Sequence, residues 1–283
     1  MKKRYALGVD GGGTKTDFLL CDPEGRELSY STAGPSNHEC IEGGMEGLAR
    51  RFPRELTSFL AARSLGPEDV ESAVFGMAGA DLPSQISRIE EIVASTGLRN
   101  FKVINDSFLG VKAGSRKGYG ICLVNGTGNT VGGIDPSGRW AQIAGTGYMS
   151  GEEGGAGRIA QRAMRAAYDD LFRLGEKTVL TGRLFSLFGI NDSRSFVETT
   201  YRLYERGASW PREVLRILFT AGNEKDAVAL RILREVGSQM GRSVAGCAHF
   251  LDFGDEIDVV IVGSVALKAT CPAMMDSFRD ESL

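Results

Sequence analysis

Histidine is almost missing: His38 and His249 are the only two in 283 residues, so a histidine-based metal cage is not expected. Cysteine is sparse too. Cys21, Cys40, Cys122, Cys247 and Cys271 lie far apart with no CxxC pair, and the odd number fits free buried thiols in a reducing cytoplasm. There is no apolar stretch of membrane-spanning length, and no basic run of the kind that tracks nucleic acid. The basic opening Met1-Lys2-Lys3-Arg4 gives way at once to polar and glycine-rich sequence, which reads as no secretory signal. What remains is ordinary: 42% hydrophobic and 24% charged residues, with a formal net charge of -3. That composition suits a soluble globular protein of about two domains, each with a modest core.

The chain repeats itself. Residues 5–26 read YALGVDGGGTKTDFLLCDPEGR and residues 119–139 read YGICLVNGTGNTVGGIDPSGR. Each is an apolar run, a Gly/Thr turn, a second apolar run and a DPxGR turn. Asp22-Pro23-Glu24-Gly25 and Asp135-Pro136-Ser137-Gly138 have Asp first, Pro second and Gly fourth, as a type I turn requires. Both blocks predict strand, tight turn, strand, turn, strand. Two domains of related topology follow, residues 1–116 and 117–283, meeting near 115–118. Elsewhere, apolar spacing predicts a helix over 45–63, interrupted by Pro53. Residues 71–76 and 101–105 read as short buried strands around a helix at 82–96, an alternation that implies parallel strands in an α/β sheet. Helices are expected at 158–174 and 226–251, with helical signals over 181–222 and a buried strand at 258–262.

The turn Asp10-Gly11-Gly12-Gly13-Thr14-Lys15-Thr16 lets the backbone approach a ligand closely. Its N–H groups and the Thr14 and Thr16 hydroxyls suit an anion, and Asp10 at a strand end can hold Mg²⁺ through water. The plainer reading is a hairpin turn with an exposed Lys15. The segment is neither a GxxxxGK[ST] P-loop nor a GxGxxG fingerprint. Asn125-Gly126-Thr127-Gly128-Asn129 repeats the design, so two turns can serve one triphosphate. Asn105-Asp106 follows an apolar run, at the strand edge where open α/β sheets bind ligands. A carboxylate there can take the proton of an attacking hydroxyl; alternatively the pair caps a helix.

Taken together, DGGGTKT (10–16), GPSNH (34–38), GMAGAD (76–81), VINDS (103–107), NGTGN (125–129), GTGYMSGEEG (145–154) and VIVGSVA (260–266) resemble the BadF/BadG/BcrA/BcrD ATPase family. Within it they resemble the N-acetylglucosamine kinases of the actin-like ATPase superfamily. The resemblance implies two ribonuclease H-like α/β domains with a nucleotide cleft between them, using ATP and Mg²⁺. It implies Asp10 as the ligand of magnesium-bound water, Gly12, Gly13, Thr14, Lys15 and Thr16 as the first phosphate loop, and Thr127 and Gly128 as the second. Gly263 and Ser264 match the adenosine motif, and Asp106 the base that activates a sugar 6-hydroxyl. Asn37, Asn129 or Thr130, Gly145, Thr146, Gly147 and Glu152 match sugar-contacting segments. A small-molecule sugar is the implied partner, with no nucleic acid or membrane, in a cytoplasmic protein compatible with a homodimer.

Three departures stand out. The family usually has GDEGS where this chain has Gly151-Glu152-Glu153-Gly154-Gly155, and GTGSN where it has Gly126-Thr127-Gly128-Asn129-Thr130. Members usually continue for some tens of residues past the equivalent of Ser264, so a truncated C-terminus is expected. Two other functions compete. One is an ATPase that activates an acyl-CoA dehydratase through a shared iron–sulfur cluster, for which no cysteine here is suitably placed. The other is a sensor of nucleotide or sugar without turnover, against which Asp10 and Asp106 together argue. Glu152 or Glu153 has a bland reading as well, favouring the positive end of the following helix.

Overall fold

A computed structural model of the chain describes residues 4–206 and 210–282. The first repeat folds as its spacing predicts, into β1 (Tyr5–Gly11), β2 (Thr16–Cys21) and β3 (Glu27–Ala33). Next come α1 (Gly44–Ala61), β4 (Val70–Met77), α2 (Pro83–Ala94), β5 (Phe101–Ile104) and α3 (Asp106–Gly114). The second repeat gives β6 (Gly120–Asn125), β7 (Asn129–Ile134) and β8 (Trp140–Ala144). Helices dominate the remainder: α4 (Ala156–Phe172), α5 (Val179–Phe188), α6 (Ser193–Arg206), α7 (Pro211–Asn223) and α8 (Ala227–His249). β9 (Val259–Val262), α9 (Ser264–Leu267) and α10 (Ala273–Ser282) complete the described chain.

The strands form a five-stranded sheet ordered β3-β2-β1-β4-β5 and a four-stranded sheet ordered β8-β7-β6-β9. In the first sheet β1 is antiparallel to β2 and parallel to β4, which is parallel to β5. The predicted parallel α/β arrangement is therefore present. By packing the chain divides into two compact units. One runs to Cys122 and takes in Gly132–Gly145 and Asp255–Val260; the other comprises Leu123–Val131, Thr146–Gly254 and the chain from Ile261 onward.

The DPxGR turns match bond for bond. Gly25 N–H donates to the Asp22 carbonyl and Gly138 N–H to that of Asp135, both at 2.9 Å. Each Asp carboxylate also accepts from the Arg four residues later, Arg26 in one and Arg139 in the other.

Two expectations need correction. α1 is not interrupted at Pro53 but runs through it. Leu48, Phe52, Leu56, Phe59 and Leu60 are all buried on one face of α1, with Phe18 stacked on Phe52 and Phe59. Burying several such side chains, at about 1.5–3 kcal/mol each, outweighs a proline penalty of about 3 kcal/mol. The strand at 259–262 is not buried: Val259 is exposed and its successors half-buried, because β9 is an edge strand with one neighbour. Among the described residues no helix is long and apolar enough to cross a membrane.

Candidate active site

Topology brings three carboxylates to one sheet edge. β1, β4 and β5 run parallel, so their carboxyl ends lie together. Asp10 is the penultimate residue of β1, Asp81 follows β4, and Asp106 follows β5. Asn105 rather than Asp106 caps α3: its side chain accepts from the Ser107 N–H at 3.0 Å. Asp106, freed from capping, opens the helix half-buried. Burial first, then the like charges of Asp10 and Asp81, push its carboxyl up to about 7. Asp10 is more open, yet desolvation and Asp17 together hold it above the usual carboxylate range, against Lys15. α3 can approach β7 because residue 132 is glycine; a Cβ there would collide with Ser107.

The first turn is closed by the Gly12 N–H, which donates to the Lys15 carbonyl at 2.9 Å. The Gly12 carbonyl accepts from the N–H groups of both Ser36 and Asn37, which ties the Asn37 segment to the turn. Lys15 is exposed and pairs with Asp17. Thr16 is wholly buried and gives its hydroxyl hydrogen to the Gly34 carbonyl at 2.7 Å. Asn37 accepts from the Glu39 N–H at 2.9 Å.

In the other unit, the turn of Gly126, Thr127 and Gly128 is closed by Gly126 N–H donating to the Gly128 carbonyl at 3.0 Å. The Ala156 N–H at the start of α4 donates to the Gly126 carbonyl, which sets the positive end of a 17-residue helix against the turn. Glu152 bridges two segments. One oxygen accepts from Asn129 N–H at 2.8 Å and the other from Gly147 N–H at 3.0 Å. Glu153 points elsewhere, to Arg162 at 2.8 Å. Asn129 is buried and accepts from Asn125; Thr130 is also buried. Gly145 and Gly147 take positive φ and Thr146 is exposed. Gly263 has φ +99° and packs against the Asn125 backbone, where a Cβ has no room, and Ser264 starts α9 just after it.

Asp10, Gly12, Gly13, Thr14, Lys15, Thr16, Asn37, Asp106 and Gly145 thus fall in the first unit, and Thr127, Gly128, Asn129, Thr130, Thr146, Gly147, Glu152, Gly263 and Ser264 in the second. Asp81 and Gln142 join the first set unannounced. Asp81 shares the signal of Asp10 and Asp106, a carboxylate at or just past the end of an apolar strand. Among the described residues no group of three or more His, Cys, Asp or Glu side chains gathers to cage a metal. Asp10 and Asp106, both held above the usual carboxylate range at one sheet edge, instead suit a hydrated cation that takes few protein ligands, as Mg²⁺ does. The five cysteines are free; Cys122 and Cys247 are buried thiols pushed up to about 12, whereas Cys40 is exposed, against expectation.

The chain is similar to several known proteins. The N-acetylmuramic acid/N-acetylglucosamine kinase of Clostridium acetobutylicum is 27% identical over 281 residues, 98% of this chain and 89% of that protein. The N-acetyl-D-glucosamine kinase of Dictyostelium discoideum is 25% identical over 214 residues, 71% of this chain and 66% of that one. A solved structure from Chromobacterium violaceum, provisionally named an N-acetylglucosamine kinase, shares the fold with a TM-score of 0.75 at 22% identity, over 100% of this chain and 95% of its own. The pattern of the BadF/BadG/BcrA/BcrD ATPase family matches residues 7–281, and the chain belongs to that family.

Proposed function

We propose that the protein is an ATP-dependent kinase that phosphorylates an amino sugar, with N-acetylglucosamine and its 6-hydroxyl as the first acceptor to test. The observation that carries the reading is Asp106, a half-buried carboxyl at about 7, placed at the strand edge with Asp10. A base with that pKa is matched to neutral pH. The kinase names of the two relatives support the substrate class.

In this reading Asp106 takes the proton of the sugar hydroxyl as its oxygen attacks the terminal phosphorus of ATP. The bond from that phosphorus to the bridging oxygen breaks, ADP leaves, and Asp106 returns its proton to water. Gly12, Gly13, Thr14 and Lys15 in one turn, braced by the buried Thr16, and Thr127 and Gly128 in the other, hold phosphate oxygens; Gly263 and Ser264 hold adenosine. Asn37, Asn129, Thr130, Gly145, Thr146, Gly147 and Glu152 orient the sugar, several of them through backbone groups, since the Asn129 and Thr130 side chains are buried. Mg²⁺, near Asp10, would neutralise charge on the phosphates. Consumption of ATP by a chain with free cysteines suits the cytoplasm.

The test is ADP release with magnesium and, in turn, N-acetylglucosamine, N-acetylmuramic acid, glucosamine and glucose. Magnesium-dependent ADP release with an amino sugar is expected. Release that is the same with and without every sugar would sink the reading.

A further inference from the structure

Asp81 sits where a second negative charge beside Asp106 is costly, and yet it is firmly held. Its backbone N–H donates to Gln85 Oε1 at 3.0 Å, at the start of α2. Its Oδ1 accepts from Gln142 Nε2 of β8 at 2.6 Å and from Asn105 Nδ2 at 2.9 Å. The Asn105 Oδ1, in turn, accepts from both the N–H and the hydroxyl of Ser107. Asn105 and Ser107 are fully buried, so the bonds in this chain meet little competition from water. Ser107 donates to Asn105, and Asn105 and Gln142 both donate to Asp81, so these bonds converge on the carboxylate. Asp106 lies between Asn105 and Ser107 in sequence, and the two residues that bracket it are the two that the network clamps.

We propose that Asp81 is a positioning residue for phosphoryl transfer: through Asn105 it fixes the first turn of α3 and thereby the place of the Asp106 carboxylate. A neutral acceptor would meet the hydrogen-bonding need of Asn105 equally well in geometry. A carboxylate makes both incoming bonds charge-assisted, shorter and stiffer. This inference rests on Asp106 acting as the base, and its test separates the two.

Asp81→Asn keeps the shape and removes the charge; Asp81→Glu keeps the charge on a longer stem. In magnesium and ATP with the accepted sugar, Asp81→Asn is expected to lower kcat by about 10–100-fold, with both KM values within about threefold. Asp81→Glu should recover part of the loss. In an Asp106→Asn background the same substitution should cost less than about threefold, since residues that act as a unit are non-additive. Hydrogen exchange of the intact protein should show faster exchange at the start of α3 in Asp81→Asn and unchanged exchange in α1. Unchanged exchange at α3, an equal loss of kcat in both backgrounds, or a raised KM with normal kcat would each overturn the proposal. A wild-type protein that turns over no sugar would instead overturn the kinase reading, and the exchange result alone would then decide whether Asp81 holds α3.

Discussion

Replacing Asp106 by Asn should make the protein far slower and, at neutral pH, more stable. An Asp in the unfolded chain titrates near 3.8, whereas in the fold burial, Asp10 and Asp81 push Asp106 up to about 7. Between those values the folded state holds a proton that the unfolded state has released. Stability therefore falls as pH rises from about 4 to about 7, then levels off. At about 1.4 kcal/mol for each tenfold change in proton affinity, the ceiling is about 4 kcal/mol at pH 8. Water still reaches this half-buried side chain, so about 1–3 kcal/mol is the realistic expectation. Asn is neutral, of the same shape, and keeps an acceptor for the backbone N–H groups at the start of α3. Thermal unfolding of wild type and Asp106→Asn in metal-free buffer from pH 4.5 to 8.5 measures the effect directly. The variant should melt several degrees higher at pH 8, and the gap should close toward pH 4.5. Turnover should fall by about 10²–10⁴, the usual worth of a positioned base. A gap that is the same at every pH, or a variant that is less stable at pH 8, would refute the electrostatic argument.

Three further outcomes follow from the same geometry. Glu152→Gln leaves one of the two bridged N–H groups facing an amide; the loss of about 1–3 kcal/mol should lower the melting temperature and raise the KM for the sugar, through Gly147, and for ATP, because Asn129 borders the second turn. Steady-state kinetics that show only the sugar KM changed would mean that Glu152 serves the sugar and not the turn. Gly263→Ala puts a methyl group into the Asn125 backbone at φ +99° and should weaken ADP binding by calorimetry at least tenfold. Thr16→Val removes a buried bond to Gly34 and should cost about 1–2 kcal/mol of stability, while ADP affinity stays within about threefold; a lost affinity would return the hydroxyl to the phosphate.

The parts of the fold legible in the sequence were those set by neighbours along the chain. The DPxGR turns close through their own Asp and Arg, so four or five residues suffice to recognise them. α1 depended on distant partners: Phe18 and Phe75 line the surface that Phe52 covers, and without them Pro53 reads as a break. At Asn105-Asp106 either residue could cap a helix, and only the observed start of α3 shows that Asn105 does so. Thr16 was read as offering its hydroxyl to an anion and Asn129 as a sugar contact through the family resemblance, but both side chains are buried: β2 alternates with Thr16 inward, and β7 is buried along nearly its whole length. Asp81 was visible only as the end of GMAGAD, since its partners Asn105 and Gln142 come much later in the chain. Glu152 illustrates the same limit: its extra methylene relative to the usual Asp was plain, but the two N–H groups that it joins were not.

The parallel order β1-β4-β5 also bears on when the acidic edge comes into being. A hairpin such as β1-β2 forms from adjacent residues, on the microsecond scale, before much of the chain has collapsed. β5 reaches β4 only after α2 has crossed between them, and β4 reaches β1 only after α1 has done the same. Such non-local pairings are the slow steps of folding. During synthesis Asp10 is therefore exposed on an early hairpin, with its glycine turn already made, long before Asp81 and Asp106 join it. A growing chain that has made the Asp10 turn still lacks the three-carboxylate edge, which assembles only when the parallel strands have paired.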